Sequence, residues 1–165
     1  MTDKRNEIKE RIEREFEICD RHIARIKGAL EDLSTHLPLQ LNDYASQDTE
    51  LVRCIDQFIF RFSKLQDAMG AKLFRYILEY LDEDIKYLPM RDILNRLERY
   101  GIIPSSHDWI YIRELRNDIA HDYPIDEKDT VIALNELIGK TETLLAIYNS
   151  LKERFYNISA TFFCI

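Results

Sequence analysis

The chain has 165 residues, of which 45% are hydrophobic and 32% charged, and its formal net charge is −7. This length suffices for a buried core, and we expect a single domain over residues 1–165. The negative charge argues against a general nucleic-acid coat, because sequence-independent affinity comes from Lys and Arg on phosphates, although it does not exclude a basic groove on an acidic body.

Helix breakers are rare, with four Gly and four Pro, and the long intervals between them favour helices. No window holds about 18 uninterrupted apolar residues, and the start, MTDKRNEIKERIERE, lacks the apolar segment of a signal peptide. We therefore expect a cytoplasmic protein without membrane contact. The three Cys residues are widely spaced and form no CxxC, so they suggest neither a disulfide framework nor a zinc site. We predict no metal and no cofactor.

The first half of the chain predicts two long helices. Apolar residues at steps of three and four indicate a first helix from about residue 3 to 34. Residues 35–48 break this period and indicate a loop, with Asp48 or Thr49 as the N-cap of the second helix. The second helix keeps its apolar spacing to about residue 81, and Gly70 is a point where it bends or divides.

The second half of the chain predicts three helices: from about residue 91 to 100, from Ser105 or Ser106 to near His121, and from about residue 126 to 155. Pro124 ends the middle one, because the residue before a proline avoids helical geometry. The simplest packing of these five amphipathic helices is an all-α, up-and-down antiparallel bundle.

The stretch IRELRNDIAHDYP, residues 112–124, has an unusual composition for a helix surface. At about 100° per residue, one face is apolar and consists of Ile112, Leu115 and Ile119. The opposite face consists of Arg113, Asn117 and His121, with Arg116 at the edge between the two. This face alone does not separate a functional site from a solvated surface, because a His near a helix C-terminus also favours the helix dipole.

The spacing within this stretch is more specific than its composition. Arg116, His121 and Tyr123 form the pattern R-x-x-x-x-H-x-Y, and Asn117 places a polar residue directly after the Arg. This pattern resembles the motif of HepT-type toxins of the HEPN domain family, which are small helical bundles with the motif at the end of a late helix. The resemblance implies a metal-independent ribonuclease in which two protomers of a homodimer bring their motifs into a shared cleft.

The resemblance also implies a role for each motif residue. RNA supplies its own 2′-OH as nucleophile, so the protein provides proton transfer and stabilises charge on the phosphate. His121 suits general acid or base catalysis near neutral pH, and the planar fork of Arg116 suits the scissile phosphate. Asn117 would orient His121 or the phosphate, Tyr123 would donate a hydrogen bond to a phosphate oxygen, and Arg113 supports them. The product would carry a 2′,3′-cyclic phosphate.

The partner that the resemblance implies is an MNT-type nucleotidyltransferase antitoxin. Such an antitoxin would block the cleft by transferring AMP to the motif tyrosine, here Tyr123. One alternative is a non-catalytic HEPN module that serves as an accessory subunit of a nucleotidyltransferase. Another is a plain helical interaction domain in which the motif is accidental. The presence of Arg116, His121 and Tyr123 together favours the enzyme.

Two charge patterns bear on RNA binding. Asp118 and Asp122 lie beside the motif, and either they face away or they raise the pKa of His121 and weaken phosphate binding. On the second helix, cations recur at helical spacing and predict a track for an RNA backbone, although a solvated helix face is the more ordinary explanation. The predicted track consists of Arg53, Arg61, Lys64, Lys72 and Arg75.

Overall fold

The computed structural model describes residues 2–120 and 126–162, and within these residues the protein is helical without any strand. The helices are α1 (Thr2–Leu33), α2 (Leu41–Ala45), α3 (Thr49–Ala68), α4 (Phe74–Tyr80), α5 (Met90–Arg99), α6 (Ser106–Ala120), α7 (Glu127–Gly139) and α8 (Thr141–Phe162). The predicted all-α fold is confirmed. None of the helices in the described ranges is long and apolar enough to cross a lipid bilayer.

The centre of the fold is the antiparallel pair of α1 and α3. Their direction follows from two contacts, since Glu15 meets Lys72 while His22 meets Arg61. The apolar stripe of α1 is buried as its spacing predicts, and its Phe16 packs against Phe155 of α8 with ring centroids 5.7 Å apart. The α3 helix begins where the sequence indicates, because the Asp48 carboxylate accepts a hydrogen bond from the Leu51 backbone N–H at 3.0 Å.

A π turn, Met69–Leu73, joins α3 to α4 and contains Gly70, where the sequence indicates a bend or division. Its cause is visible in the spacing of the buried residues Leu65, Met69, Leu73 and Ile77, which follow one another at steps of four. On a regular α-helix each such step overshoots by about 40°, so three steps rotate the buried face by about one residue. The wider π turn absorbs this rotation and keeps Ile77 on the same face as Leu65.

Two predicted elements differ from the structure. The predicted single helix over residues 126–155 is wrong, since α7 ends at Gly139 and α8 begins at Thr141. Gly139 is a poor helix former. Both helices pack on α6, but α7 also packs on α2, whereas Phe155 of α8 packs on Phe16 of α1, so the two helices have partly different neighbours. The predicted loop of residues 35–48 contains α2 and the end of a 3₁₀ turn, Ser34–His36.

The segment before α2 is fastened to α7 by a side-chain amide. The Leu39 backbone N–H donates to Asn135 Oδ1 at 2.8 Å, and Asn135 Nδ2 donates to the Leu39 carbonyl at 3.0 Å. Both hydrogen-bonding groups of the Leu39 backbone are thereby satisfied beside a buried side chain.

Candidate functional site

The position of α6 is fixed near its start by a cap and a buried ring. The Asp108 backbone N–H donates to Ser105 Oγ at 3.0 Å, which makes Ser105 the N-cap that the sequence indicates. One turn later the Trp109 side chain is buried and meets the Phe74 ring of α4 edge to face, with centroids 4.6 Å apart. The edge of Trp109 also fits against Gly70, where an added Cβ would lie 3.1 Å from Cζ2 of the indole. The π turn and α6 are therefore in close contact.

The apolar face predicted for α6 is present. Ile112 is fully buried, and Leu115 and Ile119 are partly buried against the core. On the other face, Arg113 is exposed and Asn117 half-buried. Two of the predicted site residues, His121 and Tyr123, lie outside the described residues, and so does Asp122.

Arg116 is held by two neighbouring residues of α3. Its Nε donates to Gln66 Oε1 at 3.2 Å, and its Nη2 donates to Asp67 Oδ1 at 3.0 Å. The Arg116 side chain is only 13% exposed, whereas Asp67 is exposed. These bonds use two of the five guanidinium N–H groups and fix the plane of the fork, so the remaining three can serve a ligand.

Two adjoining cavities open between α3, the π turn, α5 and α6, and we call them together the Trp109 cleft. The larger cavity has a volume of about 310 Å³, the smaller one about 140 Å³, and both are lined by Met90, Trp109 and Arg113. The larger is also lined by Arg91, Leu94, Ile110, Glu114 and Asn117. The smaller is also lined by Gln66, Asp67, Gly70, Ala71 and Arg116. The structure thus brings Arg113, Arg116 and Asn117 to one cleft.

The cleft is more basic than the protein as a whole. Its walls carry three arginines and two acids, in a chain whose net charge is −7. Asp118 is exposed and lines neither cavity, which corresponds to the first of the two arrangements considered for it. The contribution of α3 and α5 to this cleft was not predicted, since Gln66 and Asp67 carry no motif and meet Arg116 only through helix packing.

The five cations of the predicted RNA track have different neighbours. Arg53 pairs with Glu50 on its own helix, and the Lys72 ammonium pairs at 2.8 Å with Glu15 of α1, a hydrogen bond that raises the pKa of Lys72. Arg75 donates to the Leu88 carbonyl at 3.4 Å. Arg61 and Lys64 share one patch, where both lie over the exposed ring of Phe60 at 5.2 and 5.6 Å from its centroid. An RNA-binding role for these cations stays a prediction.

His22 of α1 is a natural reporter of positive charge at this patch. Burial lowers the pKa of His22, and the nearby cations Arg61 and Lys64 lower it further. The Arg61 guanidinium lies 3.4 Å from His22 Nδ1. We expect Arg61→Gln to raise the His22 pKa toward its ordinary value, because one repelling charge is removed.

The measurement is an NMR titration of the His22 ring protons in both proteins. Arg53→Gln is the matched control. Arg53 belongs to the same predicted track, but it forms an ion pair with Glu50 and is not among the groups that lower the pKa of His22. An unchanged His22 pKa in Arg61→Gln would contradict a positive potential at this patch.

Comparison of the chain with protein-family models, with curated proteins and with solved structures found no match. Within residues 2–120 and 126–162, no group of three or more His, Cys, Asp or Glu side chains is arranged to hold a metal ion.

Proposed function

We propose that this protein is the toxin of a HEPN/MNT toxin–antitoxin module: a metal-independent, HepT-like endoribonuclease that acts in the cytoplasm as a homodimer. One structural observation supports the proposal most. Arg116, the first residue of the motif, is held by Gln66 and Asp67 at a cleft that Arg113 and Asn117 also line. A fixed guanidinium with unused N–H groups is what stabilisation of a phosphate in a transition state requires.

The chemistry of the proposed reaction needs no group beyond the side chains of the motif. A base, His121 of one protomer, takes the proton of the 2′-OH, and the 2′-oxygen forms a bond to phosphorus as the bond from phosphorus to the 5′-oxygen breaks. An acid, the second His121 of the dimer, protonates the leaving 5′-oxygen. Arg116 donates to the phosphate oxygens as their negative charge grows. The products are a 2′,3′-cyclic phosphate and a free 5′-OH.

The ion pair with Asp67 is compatible with this role. It occupies one Nη2 hydrogen and leaves both hydrogens of Nη1 and the second hydrogen of Nη2. Asp67 is exposed, so water screens its charge. The repulsion between its carboxylate and a bound phosphate is therefore weaker than it would be for a buried carboxylate. We infer that Gln66 and Asp67 orient the fork of Arg116 before RNA binds.

Inhibition in this proposal comes from the MNT-type nucleotidyltransferase antitoxin. Tyr123 lies seven positions after Arg116 in the sequence. Transfer of AMP to Tyr123 would add bulk and a negative charge to the motif whose Arg116 would otherwise bind the phosphate of the substrate. The repulsion between the two phosphates would then lower the affinity for RNA.

A second function is favoured by the same ion pair. Asp67 partly neutralises the one motif cation that the structure describes, which suits a non-catalytic HEPN subunit that binds a nucleotidyltransferase. A subunit of this kind would use the cleft for binding and would not cleave RNA.

The experiment that separates the two functions is cleavage of total cellular RNA in EDTA by wild type and His121→Ala. We expect the wild type to cut and to leave 2′,3′-cyclic phosphate ends, and the variant to be about 10²- to 10⁴-fold slower, because proton transfer contributes that much. His107→Ala is the matched control, since His107 lies on the same helix with a side chain 89% exposed.

Two further results would decide against the nuclease. Cleavage that EDTA abolishes would contradict a metal-independent mechanism. Absence of cleavage by wild type, in protein that mass spectrometry shows to be free of AMP on Tyr123, would favour the accessory subunit.

A further inference from the structure

We propose that the Trp109 cleft binds one unpaired base of the RNA next to the phosphate at Arg116. This inference rests on the proposed function, since it names the part of the RNA that lies beside that phosphate. It is carried by two buried hydrogen-bond donors that belong to residues lining the cleft.

These donors belong to Gln66 and Trp109, each only 1% exposed. Gln66 Oε1 accepts from Arg116, but Gln66 Nε2 has no acceptor among the described residues, and neither has the indole Nε1 of Trp109. Buried polar groups nearly always have a partner, so two unpaired donors on residues that line one cavity indicate acceptors that come from a ligand. The ring nitrogens and carbonyl oxygens of a nucleobase are such acceptors.

The rest of the wall suits a flat, uncharged ring. Trp109, Leu94 and Ile110 supply apolar surface, and Arg113 lines both cavities with a planar guanidinium of the kind that stacks on bases. The larger cavity, about 310 Å³, lies at the lower end of the range typical for small-molecule sites. The two donors are covered in the structure, and the unbranched side chain of Met90, which lines both cavities, can move to admit the ring.

A base fits this cleft better than a second phosphate does. Once Arg116 holds the phosphate, Arg91 and Arg113 are balanced by Asp67 and Glu114, so the walls keep no net positive charge for a second anion. The two carboxylates can instead accept from the amino group of a base. The phosphate has its own partner in Arg116. Bases in a duplex are stacked and paired, so only an unpaired base can enter.

The chain contains one tryptophan, so a ¹⁵N-labelled protein gives a single indole N–H signal that reports on the cleft. We would titrate the four ribonucleosides, and inorganic phosphate separately, and follow this signal by NMR. At least one nucleoside is expected to shift it saturably, because Trp109 Nε1 gains an acceptor, and phosphate is expected to leave it in place.

The variant Ala71→Leu tests the site without touching the core. Ala71 is exposed and lines the smaller cavity, so a larger side chain there is expected to weaken nucleoside binding about tenfold or more. Ala24→Leu is the matched control, because Ala24 is an exposed helical residue of α1 that lines neither cavity.

An indole signal that none of the nucleosides shifts, or that phosphate alone shifts equally, would overturn the inference. So would equal nucleoside binding by Ala71→Leu and wild type. Nucleosides contain no phosphodiester bond, so this result is independent of cleavage. A protein that cuts RNA but whose indole signal ignores nucleosides refutes the base site and leaves the proposed function. A protein that is free of AMP on Tyr123 and binds nucleosides but cuts no RNA keeps the base site and refutes the nuclease.

Discussion

The Arg116→Lys variant is expected to cleave RNA about 10²- to 10³-fold more slowly than wild type, although its charge is unchanged. In the wild type, Gln66 and Asp67 hold one side of a planar fork, so the other side keeps a fixed direction. A lysine ammonium has no such second side, because all its N–H groups leave one atom. Once paired with Asp67 it cannot present two parallel donors to a phosphate. Single-turnover cleavage of a labelled RNA measures the loss.

Arg14→Lys is the matched control for this substitution. Arg14 also lies near a carboxylate, that of Glu10 on its own helix, but it is exposed and lines neither cavity, so its replacement is expected to change cleavage much less. Circular dichroism should show the same helix content in both variants. Cleavage by Arg116→Lys at the wild-type rate would mean that a positive charge alone suffices and that the hydrogen bonds from Arg116 to Gln66 and Asp67 do not contribute to catalysis.

Trp109→Ala is expected to lower the free energy of unfolding by about 3–5 kcal/mol. The indole is fully enclosed, packs edge to face on Phe74, and fills the space against Gly70, so its removal leaves a cavity at the contact between α6 and the π turn. Domains of this size are typically stable by about 5–15 kcal/mol, so the loss is a large fraction of the total. Urea unfolding followed by circular dichroism measures it, since the substitution removes the tryptophan fluorescence.

Tyr111→Ala provides the comparison for Trp109→Ala. Tyr111 lies two residues further along α6 and is exposed, so we expect its loss to cost about 1 kcal/mol or less. Trp109→Ala and Tyr111→Ala with equal effects would show that the Trp109 ring does not anchor α6.

Features that depend on neighbouring residues in the sequence could be predicted. The buried stripe of α1, the Asp48 cap and the Ser105 cap each follow from spacing or from a local hydrogen bond, and the structure has them. The division between α7 and α8 was missed because apolar spacing continues on both sides of Gly139, and one glycine in a helical pattern is a weak signal.

Features that depend on how helices pack could not be predicted. The contact of Arg116 with Gln66 joins residues 50 positions apart, and it is set by how far α6 slides along α3. The pair of Lys72 with Glu15 has the same origin, and it gives one cation of the predicted track an acidic neighbour that spacing alone does not indicate. The motif indicated Arg116 and Asn117 as site residues, but only packing adds the cleft beside them.

The π turn also determines how this part of the chain would respond to the deletion of one residue. Because it accommodates one residue more than a regular helix needs, the residues after Leu73 keep the phase they would have if that residue were absent. Deleting one exposed residue of this turn, such as Ala71, would therefore convert the π turn to regular α-helix and leave Ile77 facing the core. A deletion in the middle of a long helix usually rotates everything that follows by about 100°. Here the backbone has room to lose a residue, and the surplus one lies in the wall of the Trp109 cleft.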